Sequence, residues 1–221
     1  MTLEIYTPCF YDNTQPIERL AKSCERLGYA LIPYGVGELW PGLVNAEIIR
    51  FRQTIERSTA DLVCRADGAD GWFIRPPESL LDAFEFYGKD VLIGGERQCW
   101  PFDLMHHKFD YERQYPYPNG GNVIGKRESV KAALDELVKL SLPEHCGNDQ
   151  AHWLTWLPQD NVAIDTDCRA FFSTSNDNLT EMCGRDMGRL LNKATYTYPC
   201  LVHFNGGGKD ERIAEFERLF G

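Results

Sequence analysis

A chain of 221 residues, 43% hydrophobic and 25% charged, is long enough to bury a substantial core, and its composition is neither disordered nor fibrous. A formal net charge of −10 excludes a surface built mainly to grip phosphate backbones, so nucleic acid is not the first expected partner. No segment approaches the length of a membrane span and no basic stretch precedes an apolar run at the amino terminus, so a cytoplasmic protein is expected.

Residues 3–7 are β-prone, and Pro8 stops them. Residues 15–27 set Ile17, Leu20, Ala21 and Cys24 on one helical face with Gly28 at the C-cap, and 30–34 form the next strand, a βαβ opening. The glycine-rich stretch 34–42 reads as a loop around Trp40, whose ring either meets a planar base or covers core. A helix over 47–59 delivers the chain to the apolar run Leu62-Val63-Cys64; Asp67-Gly68-Ala69-Asp70 then turns it toward Trp72-Phe73-Ile74. Pro76-Pro77 opens a helix through Phe84, and 90–95 form a buried strand. The stretch 98–118 is a long aromatic loop, the kind that is usually functional or mobile. A strand at 122–125, helices at 128–140 and 149–154, and a strand at 162–165 follow. Residues 172–193 are polar and fit no regular element, after which come a strand at 201–203, a glycine loop at 205–209 and a closing helix at 213–219. The pattern is one α/β domain with a Rossmann-like mixed sheet flanked by helices. Eight cysteines are scattered singly without a CxxC pair and read as small core residues.

Asp67 and Asp70 stand where a buried strand gives way to a turn, at the carboxyl edge of a sheet, where α/β proteins hold ligands. Taken alone the pair reads as a polar turn capping the strand, since Asp and Gly are ordinary turn formers. His203 closes an apolar strand ahead of a glycine loop. Two carboxylates and an imidazole suit Mn²⁺ or Mg²⁺, although a histidine bonded within the core would have the same spacing. Gly206-Gly207-Gly208-Lys209 offers backbone N–H groups and an ammonium suited to phosphate, without the spacing of a P-loop.

The order of these motifs resembles the glycosyltransferase domain of the procollagen lysyl hydroxylases, a GT-A-type fold, from about Leu3 to Lys209. The features that carry the resemblance are Tyr34-Gly35-Val36-Gly37 with Trp40-Pro41-Gly42, Asp67-Gly68-Ala69-Asp70, Pro77-Glu78-Ser79-Leu80-Leu81, Glu96 and Cys99-Trp100-Pro101. They continue with Asn119-Gly120-Gly121 before Ile124-Gly125, Asp149-Gln150, Asp165-Thr166-Asp167-Cys168, and His203-Phe204-Asn205-Gly206 with Lys209. The resemblance implies a stand-alone, metal-dependent enzyme that moves a hexose from a UDP-sugar to a hydroxyl on a sugar, a hydroxylysine-like residue or a modified base. It implies Mn²⁺, or Mg²⁺, on Asp67, Asp70 and His203. Donor binding falls to Thr7, Trp40, Asp67, Gly206 and Lys209, with Trp100, Asp149 and Asn205 near the reacting sugar and acceptor. Residues 1–70 would be the nucleotide-binding half and 71–221 the acceptor and metal-completing half.

The departures are specific. Ala69 stands where the family carries an aromatic, so a ring contact to the nucleotide comes from elsewhere or is absent. The acidic run before Asp149 is thinned to Gly147-Asn148, and no His-x-Asp supports an iron site of the hydroxylase kind. Three competing readings are a transferase acting on a hydroxymethylated DNA base, a catalytically silent nucleotide-sugar-binding module, and a metal-dependent phosphate-ester hydrolase.

Overall fold

The computed structural model describes residues 1–40, 44–101, 103–140, 142, 149–175 and 178–220. Pro41, Gly42, Gly147 and Asn148, all named above, lie outside them, as does Cys146, one of the eight cysteines. Strands β1 (Leu3–Pro8), β2 (Leu31–Tyr34), β3 (Leu62–Arg65), β5 (Val91–Glu96), β6 (Tyr117–Lys126) and β7 (Val162–Asp165) form a six-stranded sheet in the order β2-β1-β3-β6-β5-β7. β1 runs parallel to β2 and β3, and β5 parallel to β7, while β6 lies antiparallel between β3 and β5. A second sheet of β4 (Gly71–Phe73), β11 (Leu201–His203) and β8 (Phe171–Ser173), in the order β4-β11-β8, stands beside it. The mixed α/β architecture expected from the sequence is the one observed.

Side-chain alternation explains why the strands read as unbroken apolar runs. Tyr6, Val63, Ile93 and Val123 face one core, beneath α2 (Val44–Ile55), α4 (Arg127–Val138) and α5 (Asp149–Trp156). Ile5, Cys64, Leu92 and Ile124 face the other, beneath α1 (Glu18–Leu27) and α3 (Pro77–Tyr87). A third core, with Phe172, Val202, Phe204 and Phe216, seats α7 (Lys209–Phe220) on the second sheet. α1 ends as expected on Gly28 at φ 82°, where the left-handed backbone favours glycine. The seven described cysteines are all buried.

Three expectations require correction. The long loop is shorter than expected, because β6 begins at Tyr117. Pro118 and the Asn119-Gly120-Gly121 run look like strand breakers. Pro118 is accommodated because β3 pairs only with Val123–Lys126, so the first part of β6 has a ladder partner on one side alone. The register then shifts between Ile93 and Gly94, opening an irregularity in β6 around Gly120 and Gly121. The polar stretch after Phe172 is ordered, with β8, a short helix α6 (Leu179–Met182) and a hairpin of β9 (Cys183–Asp186) and β10 (Arg189–Asn192). α7 starts at Lys209, so the glycine loop runs directly into a helix N-terminus. Among the described residues, no helix is long and apolar enough to cross a membrane.

Candidate active site

The ends of β3, β5 and β11, the irregular part of β6 and the start of α5 converge on one cleft of about 420 Å³. Asp67, Asp70, Glu96, Trp100, Asp149, His203 and Asn205 are among the residues lining it.

The chain brings the acids together by a tight turn out of β3. Ala66 N–H still bonds to Tyr6 O at 2.9 Å, after which the turn reverses into β4. Gly68 is required there, because a Cβ would lie 2.4 Å from Thr7 Oγ1 and 2.5 Å from Ile17 Cγ2. β11 pairs antiparallel with β4, His203 opposite Gly71, and Phe204 N–H bonds to Asp70 O at 2.9 Å. His203 is thereby fixed beside the turn. Its Nε2 lies 3.3 Å from Asp70 Oδ1 and 3.6 Å from Asp67 Oδ2, and the Asn122 carboxamide sits 2.9 Å from its Nδ1. Gly121 leaves room for the ring, since a Cβ there would come within 2.8 Å of His203 Cε1.

The three residues present ligand atoms that all lie within 4.8 Å of one another, the one such cluster among the described residues. Asp70 Oδ1 and His203 Nε2 are buried without a hydrogen-bond partner. Buried polar atoms without a hydrogen-bond partner are costly, and two that converge with a second carboxylate fit a hard divalent cation. Without metal the charges compensate one another. Burial lowers the basicity of His203, but Asp70 and Asp67 beside it push its pKa up to about 10. Burial raises the Asp70 carboxyl, yet His203 and Lys209, whose Nζ is 3.5 Å away, hold it below its ordinary value.

Glu96 organises the opposite wall. Its Oε2 accepts from Asn119 Nδ2 and from Asn205 Nδ2, each at 2.9 Å, and its Oε1 accepts from Gln150 Nε2. Burial pushes its pKa up to about 7, with the Asn119 and Gln150 amides opposing the rise. Asn205 also accepts from Ser175 N–H at 2.8 Å. Ser175 holds a left-handed φ of 48°, and its buried Oγ has no partner.

The expected site residues divide clearly. Asp67, Asp70, Trp100, Asp149, His203, Asn205 and Gly206 line the cleft, and Lys209 reaches it through Asp70. Thr7 is fully buried under the turn with its Oγ1 unpartnered, and it does not line the cleft. Trp40 is 54% exposed with its ring edge-on to Phe10, so it is not a core cover, and it too lies outside the lining. Asp149 stands outside the Asp67, Asp70 and His203 cluster; its Oδ2 sits 2.8 Å from Arg65 Nη1, and its Oδ1 accepts the Gln150 N–H. Sequence reasoning gave no role to Asn119, Gln150, Ser175, Asn122 or Arg65. Glu96, Asn119 and Gln150 stood among the quoted motifs, but only the strand pairing shows that their side chains meet.

A family model described as the PLOD GT domain matches residues 7–217. Among solved structures, a glycosyltransferase involved in the glycosylation of the major capsid of PBCV-1 is 12% identical, with a TM-score of 0.60 over 98% of this chain and 100% of that one. The galactosyltransferase LgtC, solved with donor and acceptor sugar analogues, is 13% identical, with a TM-score of 0.53 over 98% of this chain and 96% of that one. At these identities the solved structures speak to the fold. No curated protein matches the sequence.

Proposed function

The chain belongs to the PLOD GT domain family, a family of glycosyltransferase domains, and on that premise we propose that it transfers a hexose from a UDP-sugar to a hydroxyl acceptor with Mn²⁺, or Mg²⁺, at Asp67, Asp70 and His203. The observation that carries this reading is the convergence of those three side chains, two of their ligand atoms buried without a hydrogen-bond partner, in a cleft with a largely polar lining.

A cation at this position would compensate the charge of the departing diphosphate. The chain's own groups complete the task. Lys209 and the N–H groups at the start of α7 supply positive potential at the same edge. Trp40, exposed on the loop after β2, is free to stack on the uracil ring. The Glu96 carboxyl holds the Asn205 and Gln150 amides in fixed orientations, so that hydroxyls of a bound sugar meet preorganised partners. Asp149 sits on the cleft wall outside the metal cluster. From there its carboxylate is suited to stabilise positive charge developing at the anomeric carbon or to take the acceptor's proton. In this scheme residues 1–70 hold the nucleotide, and residues 71–221 supply the acceptor side and complete the metal site.

Incubation with Mn²⁺, a UDP-hexose and a panel of hydroxyl acceptors tests the proposal. Sugar transfer to an acceptor is expected. Hydrolysis of simple phosphate esters without transfer would favour the hydrolase, and UDP binding with neither transfer nor hydrolysis would favour the silent module.

A further inference from the structure

Arg65 is a buried charge beside the cleft that the reaction scheme leaves unused. It ends β3, its side chain is buried, and it does not line the cleft. Its Nη1 donates to the Gly120 carbonyl and lies 2.8 Å from Asp149 Oδ2, while its Nη2 is 3.3 Å from Glu47 Oε1. Glu47, on α2, accepts a hydrogen bond from the Tyr34 hydroxyl at the end of β2. One planar guanidinium thus meets three acceptors on three different elements.

The charges on this cluster are unequal. Arg65 and Glu47 neutralise each other in the interior, so a purely structural ion pair would be complete without Asp149. Asp149 is the second acid on the same arginine, and it is the one that faces the cleft, its side chain 23% exposed against 3% for Glu47. The pairing therefore fixes the carboxylate without removing its charge from the site. It also keeps Asp149 apart from the ligand cluster of Asp67, Asp70 and His203.

We propose that Arg65, braced from behind by Glu47 and the Gly120 carbonyl, is a positioning residue that holds the Asp149 carboxylate at the cleft wall and out of the metal cluster. The proposal rests on the reading of Asp149 as the group that acts at the reacting sugar. A lysine cannot replace the arginine, because a single ammonium cannot reproduce the planar fork that spans these acceptors.

The test uses the purified protein with Mn²⁺ and UDP-glucose or UDP-galactose, comparing Arg65→Lys, Arg65→Met, Asp149→Asn and the double variant Arg65→Lys/Asp149→Asn. Arg65→Lys is expected to lower kcat for donor turnover about 10–100-fold, the usual scale for a residue supporting a reacting group, with the dissociation constant for UDP unchanged. The double variant is expected to be no slower than Asp149→Asn alone. In a crystal structure of Arg65→Lys, the Asp149 carboxylate is expected to leave its place beside Gly120. If Arg65→Met fails to fold, Arg65→Lys, which keeps the buried charge, carries the comparison. An unmoved Asp149 carboxylate, a normal kcat in Arg65→Lys beside an inactive Asp149→Asn, or losses that multiply in the double variant would each overturn the proposal. Normal turnover in Asp149→Asn would instead remove the reading of Asp149 on which it rests.

Discussion

Asp70 and His203 form a buried ion pair when no metal is bound, and this sets a cost that a cation must meet. His203, with its pKa pushed up to about 10, carries a proton at neutral pH, whereas a metal ligand must be a neutral imidazole. Binding of Mn²⁺ near pH 7 is therefore expected to release one proton and to tighten by about tenfold per pH unit up to about pH 10. Calorimetry in buffers of different ionisation enthalpy measures the proton, and no release would contradict displacement of a proton from His203 by the metal. The same scale decides Trp40. Because its indole is 54% exposed, Trp40→Ala should leave thermal stability unchanged and weaken UDP binding by about 1–3 kcal/mol, the scale of base–aromatic stacking. Loss of stability with unchanged binding would reverse that assignment. Asp149→Asn should keep its UDP affinity and lose most turnover, since Asn can accept the Gln150 N–H but cannot carry the charge.

At the scale of elements, the site depends on how closely the turn after β3 packs on β1. Gly68→Ala would press a methyl into Thr7 and Ile17, and overpacking of this kind costs about 1–3 kcal/mol. Urea denaturation should show a midpoint lowered accordingly, and an unchanged midpoint would mean that the turn relaxes freely. The same scale explains what could be read from the sequence. β3 and β5 were legible because strands buried on both faces carry apolar runs, β1 because its residues are β-prone, and α1 because its apolar face and Gly28 cap agree. β6 was half hidden, since Pro118, Gly120 and Gly121 mark the irregularity that lets the strand reach the site. Asp67, Asp70 and His203, the proposed metal ligands, were visible as polar residues at strand ends. The Glu96 amide network and the Arg65 clamp were not, because each is assembled from residues far apart in the chain whose side chains meet only through strand pairing and helix docking.

The whole molecule is acidic, yet at its site negative charge is met locally by His203, Lys209 and Arg65. Glu96 sets one part of the pH response. Its pKa rises from an ordinary 4.5 to about 7 on folding, so the native state holds an extra proton between those values, and its contribution to stability falls as pH rises across that window. Glu96→Gln should flatten that part of the pH–stability curve, and an unaltered slope in thermal unfolding would show Glu96 to be ordinarily acidic. The central claim is that one cation on Asp67, Asp70 and His203 binds a nucleoside diphosphate in the cleft above it. Calorimetric titration of UDP with and without Mn²⁺ tests it most directly, in the parent protein and in Asp67→Asn, Asp70→Asn and His203→Ala. Mn²⁺-dependent binding is expected in the parent and should be lost in all three variants without loss of fold, whereas undiminished metal-dependent binding in the variants would contradict the account.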